Sequence, residues 1–263
     1  MIAAARMNLL MNQAWPAADS TELDGWLVRR NAGVTLRANS VLPSKAPSDL
    51  NRALDYVENL YAAHAITPSF QISPVAQPAT LDAHLATRGY TVRNPTLVQC
   101  AELSTVLGNL PDLSTPVNIS TLPSDSWTDF WWHTDGHGSN ATAKATAHQT
   151  LTQTQALYAA IPHHPAPPHV GADSFSPERL KAIGRLALVD DSAGLYCLAV
   201  DENFRRQGLA QAVIAGLLRQ ATKQGIRWVW LSVLEDNRPA LELYHRLGFQ
   251  TVSRYHYRVK PLP

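Results

Sequence analysis

The sequence predicts an α/β protein of two tandem domains, each a mixed sheet flanked by helices, and three observations lead there. The chain has 263 residues, about twice the usual length of a single domain. Its second half reads strand, helix, strand, helix, strand. The first half falls onto the second at an offset of 159 residues.

The elements of the second half follow in order. Gly194 to Val200 (GLYCLAV) is a short apolar run of buried-strand type. After a polar turn, Leu209, Val213 and Leu217 recur every four residues beside Ala210, Ile214 and Leu218, the apolar face of a helix ending near Gly225. Ile226 to Val233 (IRWVWLSV) is strand again, rich in β-branched and aromatic residues. Asn237, Arg238 and Pro239 open a second helix and Gly248 ends it, before a closing strand from Phe249 to Val259. A right-handed crossover between the first two strands makes them parallel.

Under the offset, Val41 falls on Val200, Leu50 on Leu209, and Gly89-Tyr90 on Gly248-Phe249. Ile66 opens a strand as Ile226 does, and Leu81 to Gly89 is amphipathic like Leu241 to Gly248. Ser104 to Pro116 reads as a connector, placing domains at 1–110 and 111–263. A second loop-like stretch, Ile161 to Pro177, is rich in proline and histidine; it either borders a substrate site or is plain surface.

Composition narrows the function classes. With 45% hydrophobic and 16% charged residues the chain has the balance of a compact globular protein. A net charge of +1, with basic doublets only at Arg29-Arg30 and Arg205-Arg206, gives no basis for nucleic acid or an anionic membrane as partner. Cys100 and Cys197 lie far apart in apolar runs, as reduced thiols of a cytosolic protein do. Arg6, Asn8 and Asn12 interrupt the N-terminal apolar stretches, so neither a signal peptide nor a membrane span is expected, and a cytoplasmic protein is.

The chemistry concentrates between Val200 and Gln211. Arg205-Arg206-Gln207-Gly208-Leu209-Ala210-Gln211 joins a buried strand to a helix start. Unpaired N–H groups there converge on one point, and the helix dipole favours an anion by about 0.3–1 kcal/mol. Gly208 lets the backbone approach closely, Ala210 keeps the first turn small, and the arginines add positive charge. A strand-to-helix turn without a ligand is the alternative.

The loop, the strand after it, and Asn237-Arg-Pro-Ala240-Leu-Glu-Leu243-Tyr244-His-Arg-Leu-Gly248-Phe249 agree in order and spacing. Together they resemble the GNAT superfamily of N-acetyltransferases, whose Arg/Gln-x-x-Gly-x-Gly/Ala loop holds the pyrophosphate of coenzyme A. The resemblance is strong over about the last 70 residues. It reaches more loosely to Val117–Ser120 and Asp125–His133, as the family's first strand and helix. It implies that acetyl-CoA sits on the backbone of Arg206 to Gln211, with Leu198, Ala199 and Val200 presenting main-chain groups to the pantetheine arm and acetyl carbonyl. It also implies that Asn237 contacts the cofactor and that Tyr244 protonates the departing thiolate. The acceptor would be a small-molecule or peptide amine, attacked directly in a ternary complex without a metal. The rival is a coenzyme A-binding regulatory module without turnover, which needs neither Tyr244 nor a base.

The base is not given by this carry-over. Where several relatives have glutamate, this sequence has Ser232, which cannot deprotonate an ammonium. Glu235, His133, His137 and a water relay are the candidates. His133, His137, His163, His164 and His169 match no compact metal-ligand spacing.

In the first half the offset sets Ala46-Pro47-Ser48-Asp49-Leu50-Asn51 against the phosphate loop and Leu85 against Tyr244. Proline removes a donor and Asp49 puts a negative charge where glycine is needed, so that half reads as a degenerate copy. Tandem members with one silent half occur in the superfamily, with mycothiol synthase the most similar in layout; layout does not fix a substrate. Trp15-Pro16, Gly25-Trp26 and Thr35 to Ser40 either pack against the active half, shape its pocket, or are plain core.

Overall fold

A computed structural model describes residues 4–112, 114–134, 141–163 and 179–260. The first half runs α1 (Ala4–Ala14), β1 (Asp19–Leu23), β2 (Trp26–Arg30), β3 (Val41–Pro43), α2 (Leu50–Ala63), β4 (Ser69–Ile72), α3 (Leu81–Thr87) and β5 (Thr91–Glu102). A short 3-10 turn, Leu36–Ala38, precedes β3. The second half continues with α4 (Leu103–Asn109), β6 (Asn118–Ser120), α5 (Asp125–Thr134), α6 (Ala141–Thr152), β7 (Ala156–Pro162), β8 (Leu180–Val189) and β9 (Ser192–Val200). It ends with α7 (Leu209–Thr222), β10 (Trp228–Leu234), α8 (Arg238–Arg246) and β11 (Gln250–Val259).

The repeat is physical. α2 and α7 both have 14 residues and start at Leu50 and Leu209, the expected offset apart. The starts of β4 and β10, and of β5 and β11, keep the same offset. β9 and β10 are parallel, as the crossover requires. One expected connector differs: α4 occupies the start of Ser104–Pro116, because Leu103 and Val106 form a buried stripe.

All eleven strands among the described residues join one sheet, in the order β1-β2-β3-β4-β11-β5-β10-β9-β8-β7-β6. Near its middle the two halves exchange their last strands. β5 leaves the first half to lie between β10 and β11, with Val98 opposite Ser232 and Thr96 opposite Tyr255. β11 in turn pairs with β4, His256 opposite Ile72. Alternate residues of β9 and β10 then serve two different cores. Leu195, Val229, Leu231 and Val233 pack with α7 on one face, whereas Tyr196 and Trp230 pack with Trp15 and Trp131 on the other.

That second face is roofed from both halves. α1 lies over β8, where the fully buried Arg185 donates to the carbonyls of Ala14 (3.1 Å) and Leu151 (2.9 Å). Carbonyl partners satisfy this guanidinium in place of a carboxylate. Thr154 also donates to the Gln13 carbonyl at 2.7 Å.

The exchanged strand β11 is pinned to α3 by charge. Arg258 donates through Nε and Nη2 to the two carboxylate oxygens of Asp82, each at 2.7 Å, and His256 Nε2 lies 2.8 Å from Oδ1. The Arg258 hydrogen bonds, opposed by partial burial and reinforced by His256, pull the Asp82 carboxyl down to about 2. A carboxyl whose folded pKa is depressed contributes stability above its unfolded pKa and loses it as pH falls. Asp82→Asn is therefore expected to lower Tm by about 2–4 °C, for a discounted loss of about 1 kcal/mol at this partly exposed site. Melting curves against pH check it: the wild-type advantage is constant above about pH 5 and shrinks as pH falls toward 2.

Candidate active site

The loop after β9 is shaped by its own hydrogen bonds. Asp201 Oδ1 accepts from the Asn203 backbone N–H (2.9 Å) and Nδ2 (3.0 Å), closing a 3-10 turn over Glu202–Phe204. The chain then passes Arg206 at φ 65° and Gly208 at φ 76°, both left-handed, and enters α7. Gly208 is the N-cap and no side chain caps the helix. The first helical bond runs from Ala212 N–H to the Gly208 carbonyl at 3.0 Å. The N–H groups of Leu209, Ala210 and Gln211 are thus left without helical acceptors at the positive end of a 14-residue helix.

A slot opens beside this helix start. β9 and β10 pair from Ser192↔Trp228 to Leu195↔Leu231 and then part. β9 continues along β8 to Val200, while β10 continues along β5 to Leu234. A bulge forces the divergence. Ala199 faces Ile183 and Tyr196 faces Arg185, so Cys197 and Leu198 together oppose Gly184, with Cys197 at φ 51°. A methyl group on Gly184 would stand 2.5 Å from Val213 Cγ1 and 3.3 Å from Leu217 Cδ1, so glycine is what lets α7 seat against the bulge.

Helix start and slot share one cavity of about 610 Å³. Its walls include Leu198, Ala199, Val200, Arg205, Arg206, Gly208, Leu209, Ala210, Gln211, Asn237 and Tyr244; of the residues named from sequence for this site, only Gln207 is outside them. Phe204 and Leu243 also line it, two apolar residues to which the sequence alone gives no role in the site. Asn237 has a structural duty too, its Oδ1 accepting from the Ala240 N–H at 3.2 Å to cap α8.

Tyr244 enters from α8, 8% exposed, its ring 5.7 Å from that of Phe249. Burial pushes its phenol up to about 12. Against a water-exposed thiolate near 8.5 that makes proton donation uphill by about 5 kcal/mol. Desolvation in the same cavity also strengthens the thiolate as a base, so the true mismatch is smaller.

The base candidates are scattered. Ser232 lies on the sheet face opposite Tyr244, its Oγ 3.6 Å from Met11 Sδ. Glu235 is exposed in the turn after β10, with its N–H on the Pro95 carbonyl. His133 is exposed, Nδ1 lying 2.7 Å from the Asp129 carbonyl, and lines a neighbouring cavity of about 630 Å³. His137, His164, His169 and most of Ile161–Pro177 lie outside the described residues. Among the described residues no group of three or more His, Cys, Asp or Glu is arranged to hold a metal ion.

The equivalent point of the first half is closed by its own side chains. Asp49 caps α2 through Arg52 N–H (3.1 Å), and Ser48 donates from its N–H and its hydroxyl (2.7 Å) to Asp24. Leu85, in the place of Tyr244, is fully buried.

A family model described as probable histone acetyltransferase Rv0428c, C-terminal, matches residues 6–258. The chain belongs to this family. Membership in the Rv0428c acetyltransferase family agrees with other likenesses. The uncharacterized N-acetyltransferase YobR of Bacillus subtilis is 28% identical over 256 residues, 97% of this chain and 98% of YobR. A GCN5-related N-acetyltransferase from Kribbella flavida superposes with TM-score 0.67 at 16% identity, covering 100% of this chain and 98% of that one. A tandem GNAT protein from the clavulanic acid biosynthesis pathway gives 0.56 at 14% identity, covering 81% and 70%. The fold is thus of GNAT type in tandem, and the chain is an acetyltransferase of that type. The mycothiol acetyltransferase of Thermobifida fusca shares 37% identity over only 70 residues, 23% of this chain and 22% of its own length.

The bulge supplies the test of this geometry. Gly184→Ala is expected to cost about 1–3 kcal/mol by overpacking α7 and to weaken coenzyme A binding; denaturant unfolding and calorimetric titration read the two effects.

Proposed function

We propose that the chain moves an acetyl group from acetyl-CoA to an amine by direct transfer in a ternary complex. The observation that carries this is the meeting of an uncapped helix start, a parted strand pair and a buried phenol in one cavity. The pyrophosphate takes the free N–H groups of Leu209 to Gln211, with Arg205 and Arg206 adding charge. Pantetheine lies in the slot, where main-chain groups of Leu198 to Val200 that face away from β8 hold it. An N–H there stabilises the oxyanion, an interaction whose loss costs about 2.7–4 kcal/mol in comparable sites. Tyr244 protonates the thiolate.

In this reading residues 111–263 carry the chemistry and residues 1–110 are a degenerate partner that binds no cofactor. The acceptor is a small-molecule or peptide amine. Cys100 is a buried thiol outside any disulfide, which suits a reducing compartment, and we place the protein in the cytoplasm. No described helix is long and apolar enough to cross a membrane.

Titration calorimetry with acetyl-CoA is expected to give one equivalent per chain and none for Gly208→Asp, which adds charge and strain at the left-handed cap. Two equivalents, or binding by that variant, would refute the single-site reading. Thiol release with a panel of primary amines separates the enzyme from a silent binding module. Tyr244→Phe is expected to lower kcat by about 10²–10⁴ with little change in cofactor affinity. Unchanged turnover would remove Tyr244 from the acid role.

A further inference from the structure

The acid and the cofactor approach the slot from the α7 face, so an attacking amine has to come from the other. That face, at the point where β9 and β10 part, is built from both halves. Tyr196 is the last β9 residue before the bulge and Ser232 lies beyond the last β9–β10 pair. Over Tyr196 sits Arg37, from the turn before β3, stacked on the rings of Trp15 (5.3 Å) and Tyr196 (5.0 Å). Tyr255 projects from β11 into the same cluster, 5.5 Å from the ring of Tyr257, and makes polar contacts with Ser232, Arg37 and Tyr257. No carboxylate among the described residues pairs with Arg37.

We propose that Tyr255, held beside Ser232 by Arg37 of the first half, takes the proton from the acceptor amine. The inference rests on the transfer reading above and supplies the base that reading lacks. Tyr255 reaches, from β11 and on the face opposite Tyr244, the hydroxyl of Ser232, the position on β10 where relatives carry glutamate. The charged and titratable groups around it are Arg37 from the 3-10 turn, Tyr257 on its own strand and Tyr196 on β9; Arg29 on β2 and Arg185 on β8 lie farther out. Burial opposes ionisation of Tyr255. The Arg37 charge and the hydrogen bonds of Ser232, Arg37 and Tyr257 outweigh it, and the phenol is held below its ordinary value. Tyr257 is driven up, by burial and by Tyr255.

The step balances. Tyr255 phenolate takes one proton from the ammonium, and the freed nitrogen attacks the acetyl carbonyl. As the N–C bond forms and the tetrahedral intermediate collapses, the C–S bond breaks and Tyr244 gives its proton to the sulfur. The second proton leaving nitrogen restores Tyr244, and the proton on Tyr255 passes to solvent. An unshifted phenol is about 0.1% ionised at pH 7, and each unit of lowering raises that fraction about tenfold.

Two measurements test it. The first needs no acceptor: a near-ultraviolet tyrosinate titration of the full chain with CoA, in a Tyr56→Phe background that removes the one exposed tyrosine of the eight. The first phenol to ionise should vanish in Tyr255→Phe, move to higher pH in Arg37→Gln and return in Arg37→Lys. If the first ionisation persists in Tyr255→Phe, the proposal falls. The second is acetyl transfer to an alanine-ended peptide, a lysine peptide and a small aromatic amine. Tyr255→Phe should lower kcat by about 10²–10⁴ at neutral pH with acetyl-CoA affinity kept, and the deficit should shrink about tenfold per pH unit as the amine deprotonates itself. An unchanged kcat and pH profile overturns the base role. If wild type acetylates none of the amines, that failure falls on the transfer reading, and the titration alone decides the placement of Tyr255.

Discussion

The exchange of β5 and β11 at the centre of the sheet is the constraint on which the rest depends. Each strand ends its own half in sequence yet completes the other half in space. Removing either half would strip β10 or β4 of its neighbour and bare a line of unpaired backbone groups. This explains how a half can lose its cofactor loop and still be indispensable. The first half keeps β10 paired through β5, roofs the sheet with α1, and brings Arg37 onto the Tyr196 ring.

Two helices of equal length then show what divergence did. At α2 an aspartate occupies a free N–H of the first turn; at α7 a left-handed glycine leaves those donors open. A side-chain cap stabilises a helix by about 1 kcal/mol, and a non-glycine residue such as Arg206 in the left-handed region costs about 1–3 kcal/mol. The active loop therefore gives up local stability that its twin keeps, and an anionic ligand is what can restore it.

Much of this was legible in the chain. Period-four apolar residues from Leu209, the Gly208 and Gly248 punctuation and the 159-residue offset gave the second-half elements and the repeat, because they are local signals. α4 is legible in principle from Leu103, Val106, Leu107 and Leu110, although it is too short for its period to stand out from a connector. The strand exchange was not, since alternation records which face a residue takes and never which strand lies beside it. The bulge left one trace, an isolated glycine at position 184 within a strand. Tyr255 had none: its chemistry arises from Arg37, more than two hundred residues earlier, and from Ser232 two strands away.

The order of synthesis gives the exchange a further consequence. β11 leaves the ribosome after every other described strand, so until it emerges the first half has only β3 beside β4 and cannot complete its part of the sheet. Until then its open edge is a template for other nascent chains, and a chain stopped before Gln250 would keep that edge bare.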